Sequence, residues 1–253
     1  MTPLGRRHAL VTGGGSGIGL AVARRLAAEG ARVTLMGRDE GRLRAAADGM
    51  DAGVAVADVT DAAAVDAALA GAREARGPVA ILVNNAGAAE TTPFARLDLA
   101  AWRRMTAVNL DGPFIVTRAA LPDLLAAEAG RVVNVASTAA LRGYAYAAAY
   151  CAAKHGLLGL TRALALELAG SRVTVNAVCP GFTDTDLVAR SADAIAAKTG
   201  RTPGEARAEL ERFNPQGRLV RPDEVAAAVV FLCLSENASV TGQALAVAGG
   251  EVM

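Results

Sequence analysis

Four short segments of this chain are apolar without alternation: Leu10-Val-Thr-Gly13, Ile81-Leu-Val-Asn-Asn85, Val132-Val-Asn-Val-Ala-Ser137 and Val173-Thr-Val-Asn-Ala-Val178. A strand with one wet face alternates apolar and polar residues. A strand buried on both faces does not, and that is the mark of a parallel sheet covered by helices on either side. The intervening sequence supplies the helices. Helical spacing predicts Gly17–Glu29, Asp39–Asp48, Ala62–Ala75 (opened by Thr60 or Asp61), Leu99–Ala127, Tyr146–Leu168 and Asp223–Leu234. The strands fall at His8–Thr12, Arg32–Met36, Val54–Ala57, Val79–Val83, Arg131–Ala136, Arg172–Val178 and Gln243–Val247. Pro122 is expected to kink or break the long helix that contains it. Strand–helix alternation along the chain predicts an α/β fold with a doubly wound parallel sheet.

Composition agrees with one large packed domain over residues 1–253. Hydrophobic residues make up 53%, and 26 Lys and Arg balance 25 Asp and Glu to a net charge of +1. Neither a disordered chain nor a nucleic-acid or acidic-membrane partner is expected from these values. The mean hydropathy of +0.31 reflects Ala and Val. The longest apolar run, Val225–Leu234, has ten residues, where a spanning helix needs about 20. With no secretory segment at the start, the reading is cytoplasmic, with Cys151, Cys179 and Cys233 as reduced, partly buried thiols and no metal site. One stretch, about 182–214, is polar, interrupts the rhythm and follows the carboxyl end of a strand; it is read as an irregular lid insertion over a pocket.

The first strand runs into Thr12-Gly13-Gly14-Gly15-Ser16-Gly17-Ile18-Gly19 and then directly into a helix. Glycines allow a sharp turn and close backbone approach, and a helix N-terminus offers free N–H groups and partial positive charge. Together they make a pyrophosphate cradle. The spacing lacks the Gly-Lys-Ser/Thr ending of an ATPase loop. The second strand ends at Gly37 with no carboxylate to receive a ribose 2′-OH, and Arg38 follows, which suits a 2′-phosphate. This favours NADP(H) over NAD(H).

Tyr150 and Lys154 are spaced i, i+4 on one helix face. A lysine cation beside a phenol is expected to lower the phenol's pKa and make it a general acid–base. Ser137 lies at a strand end thirteen residues upstream, placed to hydrogen-bond a carbonyl oxygen, and Asn109 is a helix-interior asparagine disfavoured by propensity. His155 and His8 read as packing residues, Cys151 as a small packing residue and Trp102 as a helix anchor.

In this order the motifs resemble the short-chain dehydrogenase/reductase family over nearly the whole length. They are Thr12-Gly-x-x-x-Gly17-x-Gly19, Asp58-Val59, Asn84-Asn85-Ala86-Gly87, Asn109, Ser137, Tyr150-x-x-x-Lys154 and Pro180-Gly181-x-x-x-Thr185. The resemblance implies a seven-stranded Rossmann sheet, a nicotinamide cofactor and a homotetramer, with the small-residue face of Ala147–Gly159 as a subunit contact. It implies that Tyr150 exchanges a proton with the ketone or alcohol oxygen, that Ser137 orients that oxygen, that Lys154 binds the nicotinamide ribose, and that Asn109 holds a relay water. Gly13, Gly15, Ser16, Gly17, Ile18 and Gly19 would cradle the cofactor. Arg38, Asp58 and Val59 would meet the adenosine end; Asn85, Ala86 and Gly87 the riboses; Pro180, Gly181, Thr183 and Thr185 the nicotinamide.

Within that family the Asn134–Thr138, Tyr150–Gly156 and Asn176–Thr185 stretches look most like reductases of 3-oxoacyl thioesters and polyketides. Acyl-carrier-protein reductases tend to carry an arginine just before the serine-bearing strand, where this chain has Ala127-Glu128-Ala129. A CoA ester or a small free ketone is therefore expected over a carrier-protein substrate. A polyketide-type ketoreductase or general carbonyl reductase is the nearest alternative. A non-catalytic dinucleotide sensor is disfavoured by the intact Ser137, Tyr150 and Lys154. A dehydratase or epimerase of the extended branch is disfavoured by the short length and the glycine spacing.

Overall fold

The structure is a computed structural model that describes residues 3–253. Its centre is one sheet of seven parallel strands in the order β3-β2-β1-β4-β5-β6-β7. The strands are β1 His8–Thr12, β2 Arg32–Gly37, β3 Ala52–Val56, β4 Val79–Asn84, β5 Gly130–Val135, β6 Val173–Pro180 and β7 Ala244–Val247. The helices are α1 Gly17–Ala28, α2 Glu40–Ala47, α3 Ala62–Arg76, α4 Leu99–Thr106, α5 Gly112–Ala126, α6 Ala148–Glu167, α7 Asp186–Thr199, α8 Pro203–Glu211 and α9 Pro222–Cys233.

The unbroken apolar runs have the expected cause. Successive strand residues enter different cores. Val11, Leu35, Ile81, Val83, Val133 and Val135 pack with α1 and α9 residues such as Val22, Leu26, Val225 and Val229. Their neighbours Leu10, Met36, Leu82 and Val132 pack on the other face with Val65 and Leu69 of α3 and Val116, Ala120 and Leu124 of α5. The winding reverses between β1 and β4, and the registers Val11↔Val83, Asn84↔Asn134 and Val135↔Val178 bring the carboxyl ends of β1, β4, β5 and β6 side by side. In such sheets the crevice at this reversal is where ligands bind.

Two expectations are corrected. Pro122 does not break the long helix, because α5 runs through it to Ala126. It removes only the N–H that would bond Arg118, whose residue is exposed and open to water. The interruption lies upstream instead, where Ala107–Asp111 forms a π turn between α4 and α5. Pro113 explains it: with no N–H for the Asn109 carbonyl, and a ring that crowds that carbonyl, the chain widens by one residue. The second correction concerns 182–214. This stretch is not irregular; it folds as α7 and α8, which bury Ala192, Ala196, Ala206, Leu210 and Leu219 between them and the body. Thr202 and Glu205 form a capping box at the start of α8, with Pro203 in its first turn.

At the opposite end of the sheet two arginines serve the end of α9. Arg7 donates to the carbonyls of Ala129 (3.1 Å) and Cys233 (2.6 Å). Arg131, only 1% exposed, donates to Leu234 O, just past α9, at 3.5 Å and to Gly130 O at 2.7 Å. Cations suit the negative end of a helix. All three cysteines are buried and free, as expected. Among the described residues no helix is long and apolar enough to cross a membrane.

Candidate active site

The glycine loop is stitched to the end of β4. The Thr12 hydroxyl accepts from Asn85 N (2.9 Å) and Ala86 N (3.0 Å), and the Asn85 amide donates back to Thr12 O (2.9 Å) and Gly13 O (3.2 Å). Gly13 and Gly17 have φ of +63° and +53°, a region that side chains rarely adopt. A Cβ on Gly19 would collide with the Gly13 carbonyl. Ser16 precedes α1 without using its side chain as a cap, and Ile18 packs into the core, so what it can offer outward is its backbone N–H. A side chain on Gly15 would meet the aliphatic part of Arg42, 3.1 Å away, so Arg42 overhangs the loop.

At the end of β2, Arg38 has its side chain 80% exposed, and among the described residues its one ion pair is to Asp58 at 3.6 Å. Its sequence neighbours are engaged elsewhere: Asp39 caps α2 through Arg42 N, and Glu40 pairs with Arg44. Asp58 also accepts from Thr60 N (2.9 Å) and Oγ1 (2.7 Å), and it sits below the ordinary carboxylate range because of those bonds and Arg38, against the effect of burial. Val59 is a core residue packed against Gly112.

The predicted catalytic residues come together. Ser137 follows β5; its Oγ accepts from Ala139 N at 3.1 Å and stands beside the Tyr150 phenol. Lys154, one turn along α6, is 4% exposed; it donates to Val135 O at 2.9 Å, and its Nζ lies 5.8 Å from the centre of the Tyr150 ring. Asn109 sits in the π turn, fully buried, donating to Ala88 O (2.9 Å) and Met105 O (3.0 Å). Asn109 Oδ1 and Lys154 Nζ converge on Gly87: a Cβ there would stand 2.8 Å from the first and 3.8 Å from the second. Behind them the buried amides are chained, Asn84 to Thr117 and Asn134, and Asn134 to Thr161.

The expected electrostatics of this group are corrected. Burial raises the Tyr150 phenol above its ordinary value, with Ser137 opposing the rise. Burial also lowers Lys154, to about 8. Desolvation disfavours whichever form is charged, so both groups move toward neutrality. Near neutral pH the pair is a protonated phenol beside a lysine that is still mostly cationic. The Cys179 thiol below is pushed up to about 11, again by burial.

The loop after β6 closes the crevice. Pro180 is its last strand residue, the Thr183 hydroxyl donates to Gly181 O (2.9 Å), and the Thr185 hydroxyl to Thr183 O (3.3 Å). Thr185 Cγ2 lies 3.2 Å from where a Cβ of Gly17 would stand, so this loop meets the glycine loop. The lining is thus built of positions where a Cβ would intrude (Gly13, Gly15, Gly17, Gly19, Gly87), which fits an extended dinucleotide laid against backbone. His155 bonds only the Cys151 carbonyl (2.9 Å), and His8 is buried between Gly77 O and Thr34. Sequence reasoning missed Tyr144 and Glu251, 107 residues apart, whose hydroxyl and carboxylate are hydrogen-bonded at the mouth of the site. No local pattern announces such a pair.

Residues 7–196 match the family model for short chain dehydrogenases. A protein named as a ketoacyl reductase of the granaticin polyketide synthase of Streptomyces violaceoruber is 43% identical over 96% of this chain and 92% of its own length. The D-beta-hydroxybutyrate dehydrogenase of Cupriavidus necator is 38% identical over 98% and 99%. A crystal structure of a variant actinorhodin polyketide ketoreductase with NADPH superposes with a TM-score of 0.94 at 40% identity, covering 99% of both chains.

Lys154 and Lys198 are the only lysines in the chain. A ¹³C NMR titration of the methylated lysines, assigned with Lys154→Arg, should give Lys154 a midpoint near 8, charged below and neutral above. A midpoint at or above the ordinary lysine value of about 10.4 would contradict the desolvated environment.

Proposed function

Because the chain belongs to the short chain dehydrogenase family and is an NAD(P)-dependent oxidoreductase of CH–OH groups, we propose that it reduces the 3-oxo group of an acyl thioester to a secondary alcohol with NADPH. The observation that carries this reading is the Ser137–Tyr150 pair. Two hydroxyls meet in a crevice, and burial keeps the phenol protonated, which is the state a proton donor to a carbonyl needs. As negative charge develops on the substrate oxygen, Ser137 holds it by a hydrogen bond and Tyr150 Oη delivers the proton. Lys154, cationic at neutral pH, faces the phenolate this leaves and favours it over the uncharged environment. Asn109 and Lys154 share the space at Gly87, the place for a water that returns a proton to Tyr150. A nicotinamide dinucleotide held along Gly13–Gly19, Asn85–Gly87 and Pro180–Thr185 would supply a hydride, the two electrons and the hydrogen that joins the carbonyl carbon, which with the Tyr150 proton completes the alcohol.

Several features support the finer parts. Gly37 carries no carboxylate to repel a 2′-phosphate. The Arg38–Asp58 pair is exposed and worth at most about 1 kcal/mol, so Arg38 can turn to such a phosphate at little cost. The actinorhodin ketoreductase was crystallised with NADPH. A CoA ester is favoured over a carrier protein because Arg131, the arginine nearest the start of β5, is buried against backbone carbonyls and cannot reach a partner. In the same reading α7 and α8 form the lid over the acyl end, and the subunits assemble as the tetramer the resemblance implies.

The test is turnover of 3-oxobutyryl-CoA and 3-oxohexanoyl-CoA with NADPH, followed by loss of reduced-nicotinamide absorbance; no turnover of either ester overturns the thioester reading. Tyr150→Phe removes only the donor and should lower kcat by about 10²- to 10⁴-fold while NADPH binding holds. Arg38→Ala should weaken NADPH by about 10- to 150-fold, from roughly 1.5–3 kcal/mol for a hydrogen bond to a charged group, and leave NADH nearly unaffected. Equal loss for both cofactors in fluorescence titrations would show that Arg38 reads no phosphate.

A further inference from the structure

Glu251 belongs to the chain's last turn, yet its carboxylate is folded inward. Oε1 accepts the Tyr144 hydroxyl, which also reaches Thr138 Oγ1 at 2.7 Å. Thr138 is the residue after Ser137, and Tyr144 packs with Tyr150 around Ala139, Ala147 and Cys151. Glu251 is therefore linked to the proton-donor site through a single hydroxyl. Its other oxygen, Oε2, is buried and has no hydrogen-bond partner among the described residues.

A carboxylate oxygen withdrawn from water without a donor is costly, and such atoms call for an explanation. Burial raises the Glu251 pKa while the Tyr144 bond and Arg142 oppose the rise, so the arrangement is under electrostatic tension. The surroundings show where a donor would come from. Oε2 lies against Gly181 at the end of β6, where a Cβ would stand only 2.7 Å away, so a glycine is what leaves this oxygen room. Beside the carboxylate stand three aromatic rings, Tyr144, Phe182 and Phe213, with centroids 5.1–6.1 Å apart. Phe182 follows Gly181, and Phe213 follows α8. Pro215 lies against Gly250, so the cover over the carboxylate is the α7–α8 unit and the chain just after it.

We propose that Glu251 is a specificity-determining residue that selects ketones carrying a hydroxyl group beyond the carbonyl, accepting that hydroxyl on Oε2, with Tyr144 as its positioning residue. The inference rests on the reading of the protein as a ketone reductase and adds the chemistry of the far end of its substrate. The aromatic rings receive the carbon skeleton, and the carboxylate reads the one polar group on it. A site built around a hydrogen bond disfavours the analogue lacking it without excluding it, because its own buried group is then left unpaired.

The experiment compares kcat/KM for cyclohexanone with that for 2- and 4-hydroxycyclohexanone, NADPH being saturating, in wild type, Glu251→Gln, Glu251→Ala and Tyr144→Phe. Wild type should prefer at least one hydroxyketone over cyclohexanone by about 10-fold or more, the scale of a charge-assisted hydrogen bond. That preference should fall to within about 3-fold of unity in Glu251→Ala. In Tyr144→Phe, which keeps the ring and loses only the hydroxyl, it should fall in part, mainly through KM. Thermal unfolding and the NADPH Kd of each variant report the integrity of the fold. If wild type turns over the ketones without preference, or the preference survives Glu251→Ala, this inference is overturned alone. A loss of NADPH affinity in the Glu251 variants with the preference intact also overturns it, since the donor would then be the cofactor's carboxamide. If wild type reduces neither these ketones nor the 3-oxoacyl esters, the ketone-reductase reading falls and this inference with it.

Discussion

The Thr12 hydroxyl is the joint on which the cleft depends. At the reversal point of a doubly wound sheet the connections after β1 and β4 leave toward opposite faces, so the loops part and open a crevice. Something must keep them from parting further. Thr12 takes two backbone N–H groups of the β4 loop on one oxygen, and Asn85 returns its amide to the β1 loop. Each of these loops carries glycines whose positions tolerate no Cβ. The cradle is therefore defined by backbone placed to within a fraction of an ångström, and the Thr12–Asn85 exchange fixes that placement from below.

Polarity in the rest of the interior is handled by chains of partners rather than by opposite charges. The Asn84–Asn134–Thr161 line crosses the sheet interior as neutral amides and a hydroxyl. Lys154 is the exception, a buried amine with a single protein acceptor, Val135 O. The arginines under the far end of the sheet, Arg7 and Arg131, face helix-end carbonyls and a neutral thiol, with no carboxylate between them. Burial thus sets the protonation states on both sides of the sheet: it lowers the cations and holds the thiols and the phenol neutral.

The sheet and the meeting of Ser137, Tyr150 and Lys154 were legible because each depends on local pattern: apolar runs, a glycine turn after a strand, a four-residue spacing. What escaped depends on contacts distant in sequence or on depth. The pairing of Arg38 with Asp58 links two strand ends twenty residues apart. The direction of the Tyr150 shift could not be read from a neighbouring lysine, because burial sets it and burial is not written in spacing. The helices in 182–214 were obscured by alanine serving as their buried residue, although the Thr202-Pro203-x-Glu205 signal was present. The effect of Pro122 was overestimated because it sits near a helix end, while Pro113 reshapes the same helix.

The π turn at Ala107–Asp111 has a geometric consequence. One residue more than an α-helical turn rotates everything after it by about 100° relative to everything before. That phase change lets one continuous rod serve two neighbours: α4 lies against α6, while α5 turns its buried face to α3 and β4. Asn109 stands at the junction, its amide gripping Ala88 across the gap. Restoring a regular helix here by deleting a single residue would leave every side chain of α5 intact in identity and wrong in azimuth. The sequence of that helix is meaningful only in the frame the widened turn supplies.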